Sequence, residues 1–254
     1  MVNLKTPEEI EIMAQAGQIA GEVLEKVIAA AKPGISTLEL DQLAEKLIRE
    51  AGGESGFKRV DGYFHTICTT PNEQVVHGIP TDRKLESGDI LSIDLGAYYH
   101  GFHSDTAFTT PIGEVSPETK EFLATGQRAL YAGLAQVKVG NHIGDISAAI
   151  EKVLRSRGYG IVETLTGHGV GRELHEEPLI PNYGRAGTGP ELVEGMVIAI
   201  EPIYTNGSSE IYLEEDGWTI TSEDATLSGL FEHTVAVTAD GPKILTTRPH
   251  EIIP

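Results

Sequence analysis

Residues 90–105 read Ile90-Leu91-Ser92-Ile93-Asp94-Leu95-Gly96-Ala97-Tyr98-Tyr99-His100-Gly101-Phe102-His103-Ser104-Asp105. The apolar run that Asp94 interrupts has the character of a strand. A second extended segment follows the Tyr98-Tyr99-His100-Gly101 break, where a turn is available near the glycine. A hairpin centred on that break sets Asp94 and Asp105 opposite each other on neighbouring strands. Directly facing like charges destabilise a sheet unless something compensates them, and a shared cation would do so.

The pattern recurs. Glu201 interrupts Val197-Ile198-Ala199-Ile200-Glu201-Pro202, and Glu232 stands just before Thr234-Val235-Ala236-Val237-Thr238. A charge on an apolar run is costly without a metal or an opposite charge. One carboxylate at a solvent-facing strand end needs no such partner, but repetition along the chain favours convergence. With His168, these acids make four carboxylates and one imidazole, a set suited to two divalent cations. Such hard donors fit Mn, Fe, Co or Zn better than a thiolate-loving ion. Two metals sharing a bridging water point to a hydrolase.

Glycines surround the histidine in Thr166-Gly167-His168-Gly169-Val170-Gly171, permitting turns or close backbone approach. The run lacks the lysine and Ser/Thr of a P-loop and the spacing of a dinucleotide fingerprint, which argues against nucleotide binding.

Composition describes one intracellular enzyme. A chain of 254 residues, 40% hydrophobic, can bury a large core. Nothing resembles a signal peptide or an apolar span, so the expected location is cytoplasmic, away from membranes. The single cysteine, Cys68, excludes an internal disulfide and a multi-cysteine metal site. Paired with His77 or His168 it would suggest a thiol protease, but Thr66-Ile67-Cys68-Thr69 reads equally as a buried, inert position. With 38 acidic against 19 basic residues the formal charge is -19, and no basic run forms a phosphate-binding stripe. General nucleic-acid binding is therefore not expected.

Thr6-Pro7-Glu8-Glu9 opens a helix with a capping box, and Ile10, Met13, Gly17, Ala20, Leu24 and Val27 give it an apolar face. Ser36 to Glu39 is a second capping box. In the second half, Ser116-Pro117-Glu118 starts a helix reaching about Val137, and another runs from about Ile143 to Arg157. A shift of 106 residues aligns Gly34 with Gly140, Glu45 with Glu151, Lys46 with Lys152, Arg49 with Arg155 and Gly52 with Gly158. This suggests an α+β fold made by duplicating a helix-helix-strand unit. The expected organisation is one domain, 1–254, with pseudo-symmetric halves of about 1–112 and 113–254. Asp94 and Glu201 then occupy corresponding strands, and the site lies between the half-sheets, near the pseudo-twofold axis.

At this point the chain resembles the type I methionine aminopeptidases of the pita-bread metallopeptidase fold, over nearly its whole length. The resemblance is carried by Asp94 in Ser92-Ile93-Asp94-Leu95-Gly96, Asp105 in His103-Ser104-Asp105-Thr106, His168 in its glycine run, Glu201 in Ile200-Glu201-Pro202, and Glu232 in Phe231-Glu232-His233-Thr234. It implies a curved antiparallel sheet around a central dinuclear site. Asp94 would chelate one metal, Asp105 and Glu232 bridge both, and His168 and Glu201 complete the other. Glu201 would also take a proton from the bridging water and help return one to the departing amine. His77 and His175 would face substrate, His77 holding the scissile region and assisting proton movement, His175 donating to the carbonyl oxygen or its oxyanion. Tyr63, Cys68 and Trp218 would surround the methionine side chain, with Phe231 a further part of its wall.

The family's Cys and Tyr at two outer pocket positions are here Phe57 and Val60. Asn72-Glu73-Gln74, with the Ser228 backbone, resembles a monovalent-cation site for sodium or potassium. The expected reaction is removal of the initiator methionine from nascent chains when the second residue is small, by a monomer whose contact with ribosomes is transient and localised. Two other readings stay open: an Xaa-Pro aminopeptidase or dipeptidase of the same fold, and a non-catalytic peptide-binding relative.

Overall fold

The computed structural model describes residues 2–252; the expected domain ends, 1 and 254, lie outside them. Four helices form, α1 Pro7–Ala30, α2 Thr37–Glu50, α3 Pro117–Leu134 and α4 Ile143–Arg155, the first three opening where the caps at Thr6, Ser36 and Ser116 place them. At α1 the Glu9 N–H donates to Thr6 Oγ1 at 3.3 Å and the Thr6 N–H to the Glu9 carboxylate at 2.9 Å. Ser36 and Glu39 close the same box on α2. Both later helices stop earlier than expected. Val137 donates back to the Leu134 carbonyl and Arg157 to that of Leu154, so the last turns tighten to three-residue spacing and leave the α-helical ladder.

The strands form an eleven-stranded antiparallel sheet. Its main path runs Glu54–Ser55, Ile90–Tyr99, Phe102–Pro111, Ser228–Thr238, Val197–Ile200, Thr166–Gly169, Glu176–Pro181. Ile67–Pro71 pairs with Ile90–Tyr99 beside this path. A smaller three-stranded sheet joins Ile211–Leu213, Ile220–Ser222 and Gln74–Val76.

Alternation sorts the two faces of the large sheet. Leu91, Ile93 and Leu95 point to the helices, where they bury Leu24 and Val27 of α1 and Leu40 and Ile48 of α2. Ile198, Ile200, Phe231 and Val235 do the same under α3 and α4, against Phe122, Leu130, Ile146 and Ile150. Fully burying each such side chain contributes about 1.5–3 kcal/mol. The helix layer thus leaves the other face of the same strands free for Asp94, Asp105, Glu201 and Glu232.

Several backbone features recur at the spacing read from the sequence. Gly34 and Gly140 have φ of 95° and 90°, and Gly52 and Gly158 have 83° and 74°, each pair just past matching helices. Isolated bridges Ser36–Lys84 and His142–Glu191 correspond at shifts of 106 and 107 residues. Behind the Glu232 strand, His233 Nε2 lies 3.1 Å from Glu251 Oε1, which also accepts from Tyr131 and Arg248, anchoring residues 248–251 to the sheet. No helix among the described residues is long and apolar enough to cross a membrane.

Candidate metal centre and substrate cleft

The hairpin forms, with a register two residues away from the expected one. Asp94 faces Ala107, and Asp105 faces Gly96. The reason is the turn. Tyr99 pairs with Phe102, so only His100 and Gly101 connect the strands, with φ of 47° and 93°. Left-handed conformations at both positions make the tight hairpin connection that matches sheet twist. Asp94 and Asp105 are therefore diagonal neighbours on one face, within reach of a common ion without standing head-on.

The structure brings all five candidate ligands together. Donor atoms of Asp94, Asp105 and Glu232 lie within 4.8 Å of one another, as do those of His168, Glu201 and Glu232. Glu232 belongs to both groups. His168 Nε2 is 3.6 Å from Glu201 Oε1, 3.7 Å from Asp105 Oδ2 and 4.0 Å from Glu232 Oε1, too far for hydrogen bonds. Its Nδ1 meets the Gly169 carbonyl at 2.8 Å, which fixes the proton there and turns the Nε2 lone pair toward the acids. The flanking glycines serve close approach only, since none of Gly167, Gly169 and Gly171 has positive φ. A Cβ on Gly167 or Gly169 would strike the carbonyls of Ala199 and Glu177.

The donor set fits divalent ions. Asp94 Oδ1, Asp105 Oδ1 and Glu232 Oε1 are buried without any hydrogen-bond partner, a costly arrangement for protein atoms alone. Burial drives Asp94, Glu201 and Glu232 well above the ordinary carboxylate range, and the neighbouring acids, Asp105 first among them, add to it. Asp105 rises to about 7, again through burial. Burial also holds His168 neutral, lowered to about 3. Such a cluster is stable as anions only around compensating positive charge.

An apolar-walled cleft opens onto this cluster. Tyr63, Cys68 and Trp218 line it as expected, together with Phe57 and Val60. Tyr63 stands edge-on to Trp218 at 5.1 Å between ring centroids and donates its hydroxyl to the Ile67 carbonyl at 2.8 Å. Asp216 receives the N–H groups of Trp218 and Thr219, both at 2.8 Å, and so shapes the loop that presents the indole. Val76 and Leu174 also line the cleft. Sequence reading missed them because they are unremarkable apolar residues whose only signal is adjacency to His77 and His175.

Phe231 is a correction. Strand alternation turns it away from Glu232, to the helix side, where it is fully buried edge-on against Phe108 at 5.1 Å and fills the space over Gly126. It does not wall the cleft. Cys68 does, across the strand pair from Asp94. Burial raises its thiol well above the usual range, which removes the thiolate a cysteine nucleophile needs. Cys68→Ser is expected to change kcat/KM for a methionyl peptide by no more than about tenfold, as a change in pocket fit. A loss as large as that of an Asp105 variant, measured side by side, refutes this.

His77 and His175 both reach the cleft. The His77 backbone has φ of 59°, a left-handed conformation that a non-glycine residue holds only where surrounding structure imposes it. Its imidazole is lowered to about 4, by burial and then by His175. His175 sits at the exposed rim, its ring 4.4 Å from that of His168, and desolvation lowers it too. Both are neutral near pH 7 and can donate one N–H each. Elsewhere, the Asn72 carbonyl accepts from the Ser228 N–H at 2.8 Å, while the Gln74 amide is tied to Glu214 at 3.3 Å.

Comparison with known proteins agrees with this geometry. The model for metallopeptidase family M24 matches residues 11–239. A protein of Clostridium acetobutylicum named methionine aminopeptidase is 43% identical over 247 residues, which cover 97% of this chain and 99% of that protein. The crystal structure of a methionine aminopeptidase from Thermotoga maritima gives a TM-score of 0.95 at 38% identity, covering 98% of this chain and 100% of the other. An Xaa-Pro dipeptidase from Bacillus anthracis is more distant, with a TM-score of 0.79 at 28% identity, and only 63% of it is covered. With near-complete matches in both sequence and structure, the chain belongs to metallopeptidase family M24, in its pita-bread fold.

Proposed function

We propose that this chain is a methionyl aminopeptidase, which hydrolyses the bond after an N-terminal methionine when the second residue is small. The observation that carries the reading is one cleft whose floor is the five-ligand cluster and whose wall is an apolar, aromatic and sulfur-bearing pocket. Asp94, Asp105 and Glu232 would hold one divalent ion, and Asp105, Glu232, His168 and Glu201 a second. When bound, such ions polarise the scissile carbonyl and lower the pKa of an attacking water.

The protein's own groups do the rest. Tyr63, Cys68 and Trp218 receive the flexible thioether. The free amine pairs with the carboxylates around Asp94, which an internal peptide nitrogen cannot do, and the enzyme is held to chain ends. His175 donates to the carbonyl oxygen as negative charge develops there, and His77 steadies the scissile region. Each acts as a neutral donor, so neither brings a competing cation beside the ions. Glu201, half-buried at the cleft, accepts the proton from water and returns one to the departing amine.

The same proposal treats the chain as one catalytic domain with halves of about 1–112 and 113–254, supported by the repeated glycines and bridges. It includes cytoplasmic action on nascent chains as a monomer. The charge of -19 supports only localised, transient contact with ribosomes. The monovalent-ion reading at Asn72–Gln74 and Ser228 belongs to the same proposal, and the Asn72–Ser228 backbone bond brings the two segments together.

Assay of Met-Ala-Ser against Ala-Pro-Ser with Mn or Co tests the function. Cleavage of Met-Ala-Ser preferred by at least about 100-fold is expected. Preference for the proline peptide would establish an Xaa-Pro enzyme instead. No turnover together with no metal uptake would leave a peptide-binding protein.

A further inference from the structure

Lys5 and Glu176 form an ion pair at 2.6 Å, with each side chain only 5% exposed. Neither is among the five clustered donors. A buried pair is weak as a source of stability, so its position is the more informative property. The Glu176 carboxylate is divided between two jobs. Oε2 takes the Lys5 ammonium, with the Asn3 amide at 3.4 Å, while Oε1 accepts the backbone N–H of Arg172 at 2.8 Å and of Glu173 at 3.3 Å. Lys5 also donates to the Asn3 carbonyl at 2.8 Å, and its own N–H bonds the Gly195 carbonyl at 2.8 Å. The segment before α1 is thereby stitched to residues 171–176, the connection that carries Leu174 and His175.

The third glycine of the His168 run belongs to the same arrangement. A Cβ on Gly171 would lie 2.7 Å from Lys5 Nζ and 2.6 Å from Glu176 Oε1. Its φ is not positive, so glycine is needed there for space alone. The Gly171 carbonyl accepts from the His103 N–H at 2.7 Å, which fixes the start of the loop from the sheet side. Without the ammonium, a carboxylate this enclosed takes up a proton or turns to water, and either change weakens its hold on the two N–H groups.

We propose that Lys5 and Glu176 are positioning residues, a clamp that fixes the 171–176 loop and so aims His175 at the reacting carbonyl. This rests on the His175 role given under Proposed function. The clamp explains why an N-terminal lysine is buried 171 positions away from its partner in sequence.

The test is a pair of double-mutant cycles on the metal-loaded enzyme with Met-Ala-Ser, using Lys5→Met and Gly171→Ala, each with His175 present and with His175→Ala. Gly171→Ala displaces the ammonium without changing charge, and keeps the test alive if Lys5→Met does not fold. Each change is expected to lower kcat about 10- to 100-fold in the parent and less than about twofold more once His175 is gone, because both then remove one interaction. Amide exchange at Arg172 and Glu173 should accelerate in both variants, metal-free or loaded. Equal losses in the two backgrounds, or unchanged exchange in folded variants, overturn the clamp while leaving the peptidase reading intact. Absence of turnover by the parent overturns that reading and the clamp with it.

Discussion

Asp105→Asn lowers kcat/KM for Met-Ala-Ser on the order of 10³-fold, about 4 kcal/mol of barrier, while the metal-free protein stays as stable as the parent or gains stability. The two effects have one origin. Asp105 lies between the two donor groups, next to Asp94 and Glu232 and 3.7 Å from His168 Nε2. An asparagine has one acceptor oxygen and presents N–H donors, so it cannot join two cations as a carboxylate can. Metal titration should show weakened uptake in step with the lost activity; preserved hydrolysis at normal metal content contradicts the bridging role.

Stability moves the other way because the cluster is self-repelling without ions. Asp105 raises each of Asp94, Glu201 and Glu232, on top of the larger effect of burial. Their folded pKa values lie above the unfolded ones, so each keeps a proton in the folded state that it loses on unfolding; below about pH 6.5 this is offset by His77, His103, His168 and His175, which burial keeps neutral in the folded state and which are charged in the unfolded one. Above that pH the histidines are neutral in both states, and stability falls as pH rises through 7, where Asp105 itself titrates. The Tm of the metal-free parent should drop by several degrees between about pH 6.5 and 8. Asp105→Asn should flatten that slope, and added divalent metal should abolish it. A metal-free Tm that rises over this interval would show that the carboxylates are compensated by something other than metal.

The strands were legible because charge stood where apolar periodicity forbade it. Asp94 and Glu201 each broke a run that otherwise had to be buried, and capping boxes at Thr6 and Ser36 located the first two helices without any tertiary information. Register was less accessible. Whether two or four residues make the turn at His100-Gly101 decides whether the aspartates meet head-on or diagonally, and only the backbone conformation of His100 settles that. Side-chain direction misled at Phe231, where an aromatic next to a candidate ligand looked like pocket wall although alternation sends it to the opposite face. The Lys5–Glu176 pair was out of reach altogether. Neither residue breaks a local pattern, and their contact exists only after the sheet has brought the chain start beside the His168 loop.

Glu201→Gln is expected to lower kcat about 10²- to 10⁴-fold, the usual range for a lost acid-base group, with KM for Met-Ala-Ser close to the parent value. The side chain is half-buried at the cleft, its oxygen 3.6 Å from His168 Nε2, and its backbone carbonyl is held by the Asn182 amide at 2.8 Å. Glutamine keeps this shape and one ligand oxygen but cannot carry a proton. Tyr63, Cys68 and Trp218 are untouched, so methionine binding should persist. Because Glu201 also stands among the candidate metal donors, weaker metal affinity at the His168 side should accompany the rate loss, and the two must be separated. Raising the metal concentration to saturation restores whatever part of the loss came from occupancy. The part that remains, together with disappearance of the acidic limb of the kcat–pH profile, measures proton transfer. Full recovery at saturating metal would leave Glu201 as a ligand only and assign the proton to another group, for which His77, which lines the same cleft, is the next candidate.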